Sequence, residues 1–310
     1  MFLLFTKNLT FVPLYRKFTV NKGLFLALCF FSTLSWAQPP AQSQEAKKKA
    51  LILISEAEKT SKSVIWPNVK ASYFFKNLRE NVEHPLYVHQ GKPTNFCGYA
   101  AITHFMVMEN PVEYVRLMVD LYQTGTTVTI DRRKLHSSKE IREAAGTLYN
   151  KGEMDINHAD QIWFMVLADN YKGYLNWRNT SYRPGDESTF WAASNYKKFN
   201  RMVRSLTGLE VHARGSDLFG PLMGSYYDFI KEKNEDNTVI LYLNNKVLYP
   251  NKFFKFILHT PTHFVVLYDL KREGKYNMLD YWDYGLRTQM KLKKNKFRKL
   301  VYGITYIENK

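Results

Sequence analysis

His89-Gln90-Gly91-Lys92-Pro93-Thr94-Asn95-Phe96-Cys97-Gly98-Tyr99-Ala100-Ala101 is the stretch from which the rest of the chain reads. A glutamine stands seven positions before a cysteine, with a loop containing Gly91 and Pro93 between them. An apolar, helix-like run, AAITHFMVM, follows from Ala100. Thr94 and Asn95 are good helix-capping residues, so a helix is expected to open here with Cys97 in its first turn. Unpaired backbone N–H groups and the helix dipole favour an anion at such a position, and the thiolate is the nucleophilic form of cysteine. The loop would let Gln90 fold back toward the thiol.

Two downstream segments supply partners. HTPTHFVVLYD presents His263 at the head of a β-branched and aromatic run, which reads as a strand. The polar stretch KREGK follows, and then YNMLDYWDYG, a second strand carrying Asp280 and Asp283. The pair reads as a hairpin, in which a residue near the start of one strand lies near the end of the other. The 20-residue separation of His263 and Asp283 suits that geometry. Asp283 is expected to accept a hydrogen bond from His263 Nδ1–H, fixing the tautomer and stabilising the imidazolium. Asp280 competes for this role, three residues earlier and on the opposite face by strand alternation. Asp283 is preferred as a strand-end acid followed by Tyr284 and Gly285.

Glutamine, cysteine, histidine and acid, in that order, are the parts of a thiol nucleophile site. Cys97 would attack a carbonyl, with His263 as base and then acid. The Cys97 N–H and the Gln90 amide would hold the developing oxyanion. The ordered set resembles the papain-like cysteine peptidases, and among them the bacterial, bacteriocin-processing branch that cleaves after a double glycine. In that superfamily a glutamine, often Gln-Gly, precedes the cysteine by about six residues, and the cysteine opens the central helix. The histidine begins a strand, and an Asn or Asp ends the next. The matching positions are Gln90, Cys97, His263 and Asp283, with Trp282 and Gly285 close by. The resemblance covers about 40 residues in two patches. The chain departs from the pattern in three places. Gln90 is one residue farther from the cysteine than in the plant enzymes, Gly98 replaces an aromatic, and 166 residues separate Cys97 from His263.

The resemblance implies an α+β, papain-like fold: a helical part with the cysteine at a helix N-terminus, packed on an antiparallel sheet carrying histidine and acid. It implies a peptidase or amidase acting on peptide or protein substrates, with no cofactor and no metal. The same scaffold also carries acyltransferases, peptidoglycan-directed amidases or effectors, and catalytically inactive binding modules.

The second cysteine, Cys29, lies in the uncharged run GLFLALCFFSTLSWA, after Lys22 and before Gln38. Small residues at Ser35 and Ala37 fit a signal-peptide cleavage site after Ala37. The run is short for a membrane span, which needs about 20 apolar residues. Residues 1–37 are therefore expected to be a signal peptide, with translation beginning near Val20, and the mature chain to be periplasmic or secreted. Cys97 would then be a lone thiol in an oxidising compartment, either used or buried as a small hydrophobe.

Residues 38–46 (QPPAQSQEA) read as a linker and 47–310 as one domain with an enlarged helical insertion. Helical patterns cover 47–62, 112–122, 137–150 and 158–170; strands are expected at 238–245, 252–258 and 300–308. The stretch 171–215 shows only weak periodicity. Helices first and an antiparallel sheet later is an α+β order.

Three further features read as ordinary structure. Asp155 to Asp160 resembles a metal motif but sits where a helix cap belongs. His104 lies among apolar residues and reads as packing. His259 precedes the Pro261 turn. The net charge is +16; the four bases Lys7, Arg16, Lys17 and Lys22, with no acid before Ala37, leave +12 on the remainder. That balance favours anionic partners such as a cell-envelope surface, and export argues against nucleic acid. The oligomeric state is not encoded in any pattern.

Overall fold

The computed structural model describes residues 43–60, 64–91, 94–148, 156–171, 182–248 and 263–308. Helix α1 (Gln44–Thr60) begins inside the expected linker. Ser43 Oγ accepts the Ala46 N–H at 3.4 Å and Glu45 lies in the first turn, so SQEA is a start signal rather than spacer. Helix α2 (Ala71–Glu83) buries Phe74, Phe75, Leu78 and Val82, and a short 3-10 turn, Pro85–Tyr87, leads to the glutamine loop. Helix α3 (Cys97–Glu109) is buried at every position from Cys97 to Val107. It is apolar all round because it runs through the centre of the core.

Helix α4 (Pro111–Thr124) follows at once, capped by Asn110 Oδ1 on Glu113 N–H and closed by Gly125 at φ 71°. Strands β1 (Thr126–Val128) and β2 (Lys134–His136) form a small hairpin. Helix α5 (Lys139–Ala144) is shorter than the pattern over 137–150 suggested. Gly146, at φ 89°, turns the chain against Asn68, where a Cβ would lie 2.2 Å from the carbonyl oxygen. Helix α6 (His158–Tyr171) is buried along most of its length, and helix α7 (Tyr196–Thr207) follows.

The stretch 171–215 therefore holds more order than its composition suggested. α7 buries Tyr196, Phe199, Met202, Val203 and Leu206, an i, i+3, i+4 apolar stripe, and runs from an Asn195 cap to Gly208. The Arg and Asn residues that obscured this stripe lie between its members.

Strand β3 (Val211–Gly215), helix α8 (Tyr226–Asp236), strand β4 (Asn237–Leu243) and helix α9 (Asn245–Leu248) lead to the hairpin. There strand β5 (His263–Glu273) turns at Gly274 into strand β6 (Tyr276–Asp283). The first strand continues through most of the polar run KREGK. Strand β7 (Leu286–Lys293), helix α10 (Lys294–Leu300) and strand β8 (Val301–Glu308) complete the chain. β7 and α10 are elements that the basic run KLKKNKFRK concealed. The strand expected at 252–258, His259, Asp155 and residues 1–42 lie outside the described residues.

The main sheet has six strands in the order β3-β8-β4-β5-β6-β7, each pair antiparallel. Ile240, Tyr242, Phe264, Val266, Tyr268, Trp282 and Ile307 face the helical core; Val239, Leu241, Val265, Leu267, Leu279 and Tyr281 face α8 and α10. Strand alternation thus buries both faces. The fold is α+β, with helices against an antiparallel sheet. No helix among the described residues is long and apolar enough to cross a membrane.

Candidate active site

The site lies where the first residue of α3 meets the head of β5 and the end of β6. Cys97 is a free cysteine, 6% exposed. The thiol and the His263 ring are hydrogen-bonded. His263 Nε2 in turn lies 2.5 Å from Asp283 Oδ1. Both residues are buried. Asp283 holds Nε2 and not Nδ1, which corrects the nitrogen expected from sequence and leaves Nδ1 as the ring atom for the sulfur.

The hairpin register explains why these two side chains meet. Val266 pairs with Trp282, so Asp283, one step further along β6, reaches back diagonally to His263. Asp280 is occupied elsewhere. Arg287 Nε and Nη2 bind its two carboxylate oxygens at 2.8 and 2.5 Å. A bidentate partner on the neighbouring strand takes Asp280 out of contention for His263.

His263 is held toward its protonated form, well above the ordinary histidine range. Burial opposes the charge. The stacked Tyr284 ring, the Asp283 carboxylate and the Cys97 sulfur outweigh it. Tyr284 lies 4.7 Å from the imidazole, ring centre to ring centre, at 17° between planes. It also sits in left-handed backbone, φ 48°, followed by Gly285 at φ 79°. Asp283 pairs with Leu286, so Tyr284-Gly285 is a two-residue hairpin turn with both central φ angles positive. Asn, Asp or Gly is the usual first residue of such a turn; a tyrosine there costs about 1–2 kcal/mol. Sequence reading missed Tyr284, although the strand-strand spacing around Tyr284-Gly285 carries the signal.

The glutamine loop differs in detail from expectation. Neither Thr94 nor Asn95 caps α3. Thr94 Oγ1 donates to the Gln90 carbonyl at 2.5 Å, and Asn95 Nδ2 donates to the Ser188 and Thr189 carbonyls at 3.0 and 2.8 Å. Phe96 occupies the N-cap position and no side chain caps the helix there. Gln90 is buried and its Nε2 donates to the Thr94 carbonyl at 3.1 Å. This fixes the amide by the chain three residues before Cys97 and spends one of its two N–H groups. Gly91 has φ 80°, and its N–H donates to His89 Nδ1 at 2.9 Å, closing the loop's first turn.

Gly98 also has a packing reason. A Cβ there would lie 3.3 Å from Phe264 and 3.4 Å from Phe199, two rings stacked at 4.0 Å. The aromatic mass beside the cysteine comes from α7 and β5, and even a methyl group on the residue after it would press against both rings.

His104 is a core residue. Its Nδ1–H donates to the Pro85 carbonyl at 2.9 Å, its Nε2 accepts from Tyr268 Oη at 2.9 Å, and Trp282 stacks on it at 4.7 Å. Burial lowers its pKa to about 4, so the ring is neutral. Trp282 Nε1 donates to the Leu86 carbonyl at 2.9 Å. These contacts lock the hairpin to α3 and set the Cys97–His263 distance from a rigid base. Asp160, the described end of the supposed metal motif, is instead buried between α2 and α6. Its oxygens accept from Asn81 Nδ2 at 2.7 Å and Asn77 Nδ2 at 3.2 Å. Among the described residues, only Glu210, His212 and Glu308 approach closely enough to hold a metal ion, at the far edge of the sheet, on and beside β3 and β8.

Comparison with protein-family models gives no match, and comparison with curated proteins gives none either.

Proposed function

We propose that this chain is an exported cysteine hydrolase of papain-like architecture that cleaves peptide or amide bonds. The observation that carries the reading is the relay from the Cys97 sulfur through His263 to Asp283 at the N-terminus of a buried helix. As the sulfur attacks, His263 takes up the proton that the Cys97 thiol gives up. The thiolate adds to the substrate carbonyl carbon, and the oxyanion is met by the Cys97 N–H and the remaining N–H of Gln90. His263 gives its proton to the leaving nitrogen as the C–N bond breaks, leaving a thioester on Cys97. His263 then takes a proton from water, which attacks the thioester and releases the acid. Asp283 keeps the imidazole oriented throughout.

A scaffold role without catalysis is the second reading, and the near-complete burial of Cys97 favours it. The two part in a product assay. Wild-type protein and Cys97→Ala are incubated with peptide libraries and with muropeptides, and products are identified by mass spectrometry. Cleavage by wild type and none by Cys97→Ala supports the hydrolase. Muropeptide products alone narrow it to a peptidoglycan amidase. Acyl transfer without hydrolysis makes it a transferase. Equal results for the two proteins, cleavage or none, overturn the catalytic assignment.

A further inference from the structure

The loop between β3 and α8 carries an apolar tip that the catalytic reading does not use. Leu218 is 69% exposed, Phe219 74% and Leu222 99%. Single exposed leucines are ordinary, but three large apolar side chains within five residues form a patch. The tip is braced from beneath. Ser216 Oγ accepts the N–H groups of Leu218 and Phe219 at 3.3 and 2.9 Å. Tyr226 Oη donates to the Pro221 carbonyl at 2.6 Å. A Cβ at Gly220 would lie 2.7 Å from the same hydroxyl. The loop's one acid, Asp217, is turned inward to the Tyr196 N–H at 2.8 Å and the Tyr242 hydroxyl at 3.1 Å.

Beside this tip lies α10. A Cβ at Gly220, within the loop, would lie 2.8 Å from the carbonyl oxygen of Val301, the residue that closes α10, so the C-terminal end of that helix stands at the base of the loop. Lys294, one turn before Arg298, shares its face of the helix. Lys294, Lys296, Arg298 and Lys299 are exposed, while Phe297 and Leu300 anchor the helix to the sheet. No acid occurs between Leu286 and Leu300. Among the described residues Lys294, Lys296 and Lys299 have no ion-pair partner. An apolar tip flanked by unneutralised bases has the composition of an interfacial lipid anchor.

We propose that the 216–223 loop and α10 together dock the protein on an anionic lipid surface, with Leu218, Phe219 and Leu222 entering the acyl boundary and the α10 bases meeting acidic headgroups. Neither part suffices alone. The apolar tip is too small for stable insertion, and the bases without it give only a diffuse, salt-sensitive attraction. The inference is independent of the chemistry at Cys97.

The test is co-sedimentation of the full chain with phosphatidylcholine vesicles and with vesicles containing about one-third phosphatidylglycerol. Wild type, Phe219→Ser/Leu222→Ser and Lys294→Glu/Lys296→Glu are compared, each checked for unchanged circular dichroism. The expected result is binding at least tenfold tighter to the anionic vesicles. Each double variant should weaken it by about tenfold or more, since one basic residue near such a surface contributes roughly fivefold. Full binding by the Phe219→Ser/Leu222→Ser variant overturns the proposal, as do equal binding to both vesicle types and no binding at all. The last outcome would leave the patch to a protein partner.

Discussion

His263 meets Asp283 through Nε2, at 2.5 Å from Oδ1, with both side chains almost wholly buried. A carboxylate in that position stabilises the imidazolium and holds the ring edge-on, so that the other nitrogen faces the sulfur. Replacing the acid by alanine removes both the charge and the hydrogen-bond partner of the ring. Asp283→Ala should lower turnover by about 10²–10⁴-fold with little change in KM. The sign of the pH effect is fixed as well. Asp283 helps raise the His263 pKa, so its loss lets that value fall. The alkaline limb of the rate profile, which reports loss of the imidazolium proton, should move to lower pH. Asp280→Asn should leave that limb in place and instead destabilise the hairpin through the loss of Arg287. A pH–rate comparison of the two variants decides between the acids.

Gln90 separates thiol reactivity from turnover. Gln90→Ala should slow acyl transfer by about 10²–10³-fold, the usual effect of removing one oxyanion donor. Alkylation of Cys97 by iodoacetamide should stay near the wild-type rate, because that reaction forms no tetrahedral oxyanion. The variant should also lose about 1 kcal/mol of stability, since the buried Thr94 carbonyl is left without its donor. Parallel falls in alkylation and turnover would make Gln90 a structural residue of the loop.

Tyr284 is strained in backbone and useful in side chain. Tyr284→Gly relieves the left-handed strain, so the Tm should hold or rise. The same change removes the ring stacked on His263, one of the groups holding the imidazolium. Turnover should fall by roughly tenfold and the alkaline limb should shift to lower pH. A rise in Tm together with full activity would leave Tyr284 with no part in positioning the histidine.

How much of this could be read from sequence follows from which interactions are local. The helix opening at Cys97 and the hairpin carrying His263 and Asp283 are written in apolar runs a few residues long. Their placement needs only periodicity and strand pairing. The choice of ring nitrogen depends on the depth at which β5 enters the core, which no local pattern encodes. Asp280 is withdrawn by Arg287 across the β6–β7 hairpin, and the alternation of Met290 and Leu292 with polar residues in β7 is short and runs into a dense basic stretch. Thr94 and Asn95 have good capping chemistry, yet each is drawn to another carbonyl: Thr94 to Gln90, Asn95 to a segment more than 90 residues away. α7 carried a legible stripe, but it lay within a tract whose aromatic and polar residues blurred the surrounding signal.

Asp160 provides a stability prediction apart from the site. Burial raises its pKa to about 7, while Asn77 and Asn81 act in the opposite sense. In the unfolded chain it titrates near 3.9. The folded state therefore binds this proton more tightly, and stability is lost as pH rises from about 4 through about 7. Asp160→Asn should flatten that part of the stability curve, as measured by urea denaturation at pH 5 and pH 7.5. An unchanged slope would mean that the carboxyl is already ionised in the fold without penalty.

The central claim is that Cys97 is a nucleophile activated by His263. Intact-protein and peptide mass spectrometry after treatment with an epoxide or vinyl-sulfone peptide mimic tests it most directly. The account predicts one adduct per chain, on Cys97, abolished in His263→Ala and by prior unfolding in urea. An unmodified Cys97 in folded wild-type protein, or equal modification of Cys97 in His263→Ala, would contradict it.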